Sequence, residues 1–187
     1  MKIAMIAWGS LVWNPDGLQI QEPFKLGGPN LPLEFSRVSM DGRLTLVIDE
    51  EVGVDCPTYF AKSRLANLNV AIGNLRLRER TTSTNIGYIN LQIGQARLAA
   101  QGSAIGERLK AWALGREMDA VVWTGLPANF SEKSRVRKPF SVGAGLQHLQ
   151  SLPSADLDVA LRYIHNAPNE VQTPLRRAVE AMWPRPR

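Results

Sequence analysis

Three short stretches of this sequence carry groups that could do chemistry. In Trp8–Leu11 a glycine comes just after an apolar run, which lets backbone N–H groups approach an anionic ligand closely, and a serine adds a hydroxyl. Glu79 supplies a carboxylate that can take and return a proton if burial raises its pKa toward neutrality. Tyr88, after a glycine, adds a phenol. The candidates are therefore an anion-binding loop, an acid/base and an aromatic hydroxyl.

Each stretch also has an ordinary structural interpretation. A Gly-Ser pair after a strand is usually only a turn. Glu79 stands between Arg78 and Arg80 and, by base rate, is a surface carboxylate at a helix end that pairs with its neighbours. A tyrosine such as Tyr88 is more often a packed core aromatic whose hydroxyl reaches the edge of the core. None of the three stretches alone decides between function and structure.

The elements that must position these groups can be predicted from hydrophobic periodicity. Residues 3–8 form an apolar run typical of a buried strand, and the turn formers of residues 9–17 predict an ordered loop after it. Residues 64–78 repeat apolar positions at helical spacing, so Glu79 lies at the predicted helix end. Residues 86–93 alternate as a strand. The loop, the glutamate and the tyrosine thus each lie at or near the end of a regular element.

The remaining pattern predicts the α+β class. Residues 33–39 and 44–48 read as two strands of a hairpin, and residues 120–124 read as a fully buried strand. Helical patterns dominate from residue 131 onward, where Thr173-Pro174 is a strong helix start because a cap residue precedes a proline. Strands in the first half and helices in the second favour α+β, with a helical C-terminal segment.

Composition sets limits on the class of protein. A chain of 187 residues predicts one domain, here a core of residues 1–130 with residues 131–187 packed on it as an extension. Cys56 is the single cysteine, which excludes an internal disulfide and, with two distant histidines, gives no metal site. The N-terminal apolar run is too short to span a membrane and lacks a leader's cleavage site. We therefore expect a cytoplasmic protein, monomeric or homodimeric, without a cofactor or a membrane partner.

The net charge of +5 raises the question of a nucleic-acid partner. The densest basic cluster lies at residues 133–138, and its other interpretation is a solvated loop or helix end. The basic residues are otherwise spread out, and no RRM, zinc-finger or helix-turn-helix pattern accompanies them. We therefore predict no nucleic-acid partner and keep such binding as the least favoured alternative.

Taken together, the motifs resemble the gamma-glutamylcyclotransferase-like superfamily, in particular its ChaC-type branch. The Trp8–Leu11 loop after the first strand is similar to the family's Phe/Tyr-Gly-Ser-Leu ligand loop. An arginine-bearing strand with Arg37, a helix that ends in Glu79 and the following Gly87-Tyr88 occur in the family's order. The resemblance covers about residues 1–130, and the loop and the glutamate together are more specific than either alone.

The resemblance implies a mixed, barrel-like sheet with flanking helices and a reaction that cleaves a gamma-glutamyl amide or peptide, with glutathione as one candidate substrate, to 5-oxoproline and a free amine. It implies that Glu79 is the general acid/base and that the backbone N–H groups of Gly9, Ser10 and Leu11 hold the substrate's carboxylate or the developing oxyanion. Trp8, Arg37 and Tyr88 would complete the substrate-binding residues. An alternative on the same fold is a small-molecule-binding protein without turnover.

Overall fold

Nine β-strands and six α-helices make up the described part of the chain, residues 1–185 of a computed structural model. The strands are β1 Ile3–Ala7, β2 Lys25–Leu26, β3 Leu31–Val38, β4 Leu44–Ile48, β5 Val54–Cys56, β6 Tyr59–Lys62, β7 Ile86–Asn90, β8 Gln95–Arg97 and β9 Ala120–Thr124. The helices are α1 Leu68–Glu79, α2 Ser103–Gly115, α3 Phe130–Lys133, α4 Val142–Gln150, α5 Ser154–Asn166 and α6 Pro174–Met182. This content confirms the α+β class and the helical C-terminal segment.

The chain divides into two compact units, each of which contains two separate stretches of sequence. The first unit joins Met1–Leu31 to Pro57–Leu126, and the second joins Pro32–Cys56 to the residues from Pro127 onward. The C-terminal helices therefore group with strands β3, β4 and β5 in the second unit. The expectation of a single domain stays a prediction.

The first unit is built on a six-stranded mixed sheet with the order β2-β6-β1-β9-β7-β8. Strands β1 and β9 are parallel neighbours, whereas the other pairs are antiparallel. The expectation of a barrel-like sheet needs correction, because among the described residues the sheet is not a closed barrel and β2 and β8 remain its edges. These edge strands have only two and three residues, and very short edge strands blunt further pairing.

Helix α1 covers one face of this sheet. Because side chains alternate along a strand, Met5 of β1 and Val122 of β9 point to the same face, where they pack with Ala71 and Leu75 of α1. Trp123 points to the other face, is fully buried and donates its indole N–H to Gln101 Oε1 at 3.1 Å. The strands in the middle of the sheet are therefore buried on both sides, as their continuous apolar sequences predict.

The second unit contains the predicted hairpin. Strands β3 and β4 pair antiparallel, with Arg37 opposite Thr45, and a third strand, β5, lies on the other side of β3. Helix α6 begins as its sequence predicts, since the Thr173 side chain accepts from Arg176 N at 3.3 Å and Pro174 occupies the first turn. These observations confirm the hairpin and this helix start.

His148 of α4 is a buried histidine with a defined hydrogen-bonding pattern. Its Nδ1 accepts from the Arg135 backbone N–H at 3.1 Å, and its Nε2 faces Gly42 O at 2.8 Å. An acceptor on one side and a donor on the other require the neutral imidazole. Burial is the main reason that the pKa of His148 is lowered.

No helix within residues 1–185 has the length and apolar character that a membrane span requires. The cytoplasmic location stays a prediction.

Candidate functional site

The candidate site lies where the two parallel strands of the first unit end. Trp8–Leu11 follows the last residue of β1, and Thr124 is the last residue of β9. Because β1 and β9 are parallel neighbours, their carboxyl ends meet at the same edge of the sheet. Ligands of open sheets with parallel strands commonly bind outside these carboxyl ends.

Helix α1 brings Glu79 to this edge. The helix begins with Asn67 as its N-cap, and its buried residues, Leu68, Ala71, Ile72 and Leu75, fix it on the sheet. Glu79 is its final helical residue, and Arg80 ends the helix in the left-handed conformation with φ of 49°. The carboxylate therefore projects from the last turn of a helix whose position is set by its apolar face.

The loop that follows β1 is fastened to α1 by side-chain hydrogen bonds. Asn74 accepts from Gln19 N and donates to Gly17 O, both at 2.8 Å. One turn further along, Arg78 Nη2 donates to Asn14 O. These three bonds hold the loop and the C-terminal end of the helix side by side.

A pocket of about 650 Å³ opens between this loop and the helix end. The residues that line it are Ser10, Asn14, Asp16, Gly17, Leu77, Arg78, Glu79 and Arg80. Ser10 and Glu79, which are 69 positions apart in the sequence, therefore line one cavity. Its volume lies in the range typical of small-molecule sites.

The electrostatic surroundings of Glu79 favour an acid/base. Its side chain is only 16% exposed, and burial raises the pKa of this carboxyl above its ordinary value. Two neighbours oppose that effect: Arg78, whose Nη1 lies 3.5 Å from Glu79 Oε1, and the Thr124 hydroxyl beside the carboxylate. The pKa nevertheless remains raised, because the desolvation of the charged form outweighs both neighbours.

The loop after β1 presents backbone donors near the pocket. Its turn is closed by Val12 N donating to Gly9 O at 2.9 Å and by Asn14 N donating to Ser10 O at 2.8 Å. The amides of Ser10 and Leu11 donate to no acceptor among residues 1–185. The Leu11 side chain is buried and anchors the turn, and Ser10 lines the pocket, where its N–H group could bind an anionic group of a ligand.

Trp8, the first residue of the loop, is 6% exposed. Trp8 was expected among the substrate-binding residues, but it does not line the Glu79 pocket. Its burial helps to fix the point at which the loop leaves the sheet.

Tyr88 lies elsewhere on the same face of the sheet. It lines a separate pocket of about 490 Å³ together with Asn67 and Leu68, which are at the N-terminal end of α1. The Arg97 guanidinium lies 5.0 Å from its ring centroid. Since Glu79 is at the C-terminal end of the same helix, Tyr88 does not line the Glu79 pocket, contrary to expectation.

Arg37, expected among the substrate-binding residues, belongs to the second unit. Its Nη1 donates to Pro127 O at 2.7 Å, and burial lowers its pKa. This bond gives the guanidinium a structural role within its own unit.

Thr124 and Asp16 are among the residues at the site that the sequence did not single out. Thr124 ends the strand AVVWT, and the only signal of its role is that one polar residue closes an apolar run. Asp16 was part of a turn-forming stretch and had no distinguishing feature.

Within the described part of the chain, no group of three or more His, Cys, Asp or Glu side chains could hold a metal ion.

Comparisons of the chain with protein-family models, with curated proteins and with solved structures found no match.

Proposed function

We propose that this protein is a gamma-glutamylcyclotransferase-like enzyme that converts a gamma-glutamyl amide or peptide to 5-oxoproline and a free amine. The observation that carries the proposal is the pocket in which Glu79, with its raised pKa, shares the lining with the Ser10 loop. Membership of the gamma-glutamylcyclotransferase-like superfamily and a cytoplasmic location are parts of the same proposal.

The reaction needs positioning and proton transfer. The substrate's α-amine attacks its own γ-carbonyl carbon, so one C–N bond forms and the amide C–N bond breaks. The α-ammonium loses two protons, one before the attack and one as the lactam forms, and the leaving nitrogen gains two protons and departs as an ammonium group, so no water is consumed. Because the attack closes a five-membered ring, holding the chain folded back is very effective, with effective molarities of about 10⁵ M or more.

Glu79 supplies the proton transfer in this scheme. Its carboxylate takes one proton from the α-ammonium before the attack and a second from the ring nitrogen after it, and returns each to the leaving nitrogen, which suits a carboxyl whose pKa is raised by burial. The amides of Ser10 and Leu11 supply two donors for the α-carboxylate or for the oxyanion that develops on the γ-carbonyl oxygen. The proposal is supported by the lining of one pocket, which contains both Ser10 and Glu79.

The test is release of 5-oxoproline from a panel of gamma-glutamyl compounds, including glutathione. Glu79→Gln keeps the shape of the side chain and removes its proton-transfer capacity, so we expect a loss of about 10²- to 10⁴-fold in turnover. Glu107→Gln is the matched control, because Glu107 lies on a helix of the same unit with its side chain 76% exposed. Equal activity of wild type and Glu79→Gln would refute the role of Glu79.

A second candidate, a small-molecule-binding protein without turnover, is favoured by one observation. Arg78 pairs with Glu79 and opposes the rise in its pKa that a general base needs. This candidate predicts that gamma-glutamyl compounds raise the melting temperature while no member of the panel yields 5-oxoproline.

Nucleic-acid binding has less support. In the basic cluster of residues 133–138, Arg135 donates to Ser151 O and Arg137 donates to Glu132 O, so both guanidinium groups are engaged by backbone carbonyls. Affinity for nucleic acid that falls steeply with salt would restore this alternative.

A further inference from the structure

The Thr124 hydroxyl is a polar group without an evident role in the fold. Along β9 the side chains alternate, so Thr124 points to the same face as Ala120 and Val122, the face that α1 covers. Its Oγ1 is buried and has no hydrogen-bond partner of good geometry among the described residues. Buried polar groups are nearly always paired, so an unpaired hydroxyl needs an explanation.

The group beside this hydroxyl is the carboxylate of Glu79. Helix α1 packs on β9, and Thr124 is the neighbour from that strand that acts on the Glu79 carboxyl. Strands β1 and β9 carry no titratable side chain. The charged groups that face Glu79 are Arg78 on its own helix and, around the pocket, Asp16 and Arg80.

Thr124 ends β9, and Glu79 ends the helix that packs on β9. We infer that Thr124 is a positioning residue for Glu79, whose carboxylate its hydroxyl holds by a hydrogen bond while the pocket remains open to substrate. This inference rests on the proposed function for its catalytic meaning. The bond requires a side-chain rotation at Thr124 or Glu79, because Thr124 Oγ1 has no hydrogen-bond partner among the described residues. Arg78 holds the carboxylate from the side, so the two contacts together fix the orientation of the group.

A hydroxyl suits a carboxyl that changes its protonation state. It donates to the ionised carboxylate, and after Glu79 has taken a proton, it accepts from the carboxylic acid. Valine has the same shape as threonine but offers neither bond. The change in protonation state of Glu79, rather than packing, therefore explains why an otherwise apolar strand ends in a polar residue.

The first measurement is the pKa of Glu79, determined by NMR titration of its side-chain carboxyl carbon in wild type, Thr124→Val and Thr124→Ser. Because the hydroxyl lowers the pKa of Glu79, we expect an upward shift in Thr124→Val and a value near that of the wild type in Thr124→Ser. Thr84→Val, at an exposed position, is the matched control and should leave the pKa of Glu79 unchanged. If Thr124→Val does not fold, Thr124→Ala replaces it.

The second measurement is the pH dependence of kcat/KM for 5-oxoproline release. The acidic limb should move to higher pH in Thr124→Val and return in Thr124→Ser. An unchanged pKa of Glu79 in Thr124→Val overturns the inference even if the enzyme is active. A shifted pKa in a protein that never releases 5-oxoproline leaves the contact in place and overturns the proposed function instead.

Discussion

Gly87 of β7 is a position where a single methyl group should disrupt the sheet that carries the site. A Cβ built there would lie 2.2 Å from Trp123 Cε2 and 2.6 Å from Trp123 Nε1. Ordinary contact begins at 3.4 Å, so the indole would have to move by about 1 Å. The ring is fully buried and its N–H is bonded to Gln101, so it has no free space into which to move.

The cost of Gly87→Ala has two parts. Overpacking a well-filled core costs about 1–3 kcal/mol. Breaking the bond from Trp123 to Gln101 leaves a buried donor unpaired, which costs about 1–3 kcal/mol more. We therefore expect the free energy of unfolding to fall by about 2–5 kcal/mol, the sum of these terms without full additivity.

The assay is urea denaturation followed by far-UV circular dichroism, with Gly73→Ala as the matched control. Gly73 lies inside α1 of the same unit, and a Cβ there meets nothing within 4 Å. Alanine in a helix interior is favoured over glycine, so Gly73→Ala should raise the free energy of unfolding by about 1 kcal/mol. The two variants thus make the same chemical change with opposite expected signs. A change of less than about 0.5 kcal/mol in Gly87→Ala, within the range of neutral surface substitutions, would refute the packing argument.

Three further outcomes are expected. Arg78→Gln should raise the pKa of Glu79, because the guanidinium lowers it; NMR titration of the carboxyl carbon checks this, and a lowered pKa would contradict it. His148 has a folded-state pKa below its ordinary 6.5, so its stabilising contribution is complete above pH 6.5 and declines as pH falls from 6.5 through the lowered pKa. Urea denaturation at several pH values should show that decline in wild type and a smaller one in His148→Gln. Thr173→Ala should lower the free energy of unfolding by about 1 kcal/mol through loss of the α6 N-cap, whereas Thr173→Ser should retain most of it.

Local features of the fold were predictable from the sequence because they depend on neighbouring residues. Alternating apolar residues around Asp41-Gly42 predicted the β3–β4 hairpin, and Thr173-Pro174 predicted the start of α6. The helical spacing of residues 64–78 predicted a helix that the structure has at Leu68–Glu79, where Asn67 supplies the cap. Each of these depends on short-range backbone geometry and capping.

Contacts between segments that are far apart in the chain were harder to predict from the sequence. The parallel pairing of β1 with β9 joins residues that are 117 positions apart at Ile3 and Ala120, and nothing in either strand specifies its partner. The barrel-like sheet was expected from a resemblance, whereas the described strands form an open sheet with the short strands β2 and β8 at its edges. Such contacts are set by the whole chain rather than by local pattern.

The site shows the same division. Periodicity placed Glu79 at a helix end, but it did not distinguish a buried carboxyl from a surface one. Alternation gives the face on which Tyr88 lies but not its position along the sheet, and the structure puts it at the other end of α1. The sequence did not predict a role for Thr124, because that role depends on Glu79, which is distant in sequence.

The central claim is that the pocket of Glu79 closes a ring on the substrate instead of admitting water to it. The most direct test is mass spectrometry of the product formed from a gamma-glutamyl substrate in ¹⁸O-labelled water. Intramolecular attack by the α-amine predicts 5-oxoproline without label from solvent. Formation of glutamate carrying one ¹⁸O atom, or no product from any substrate in the panel, would contradict the claim.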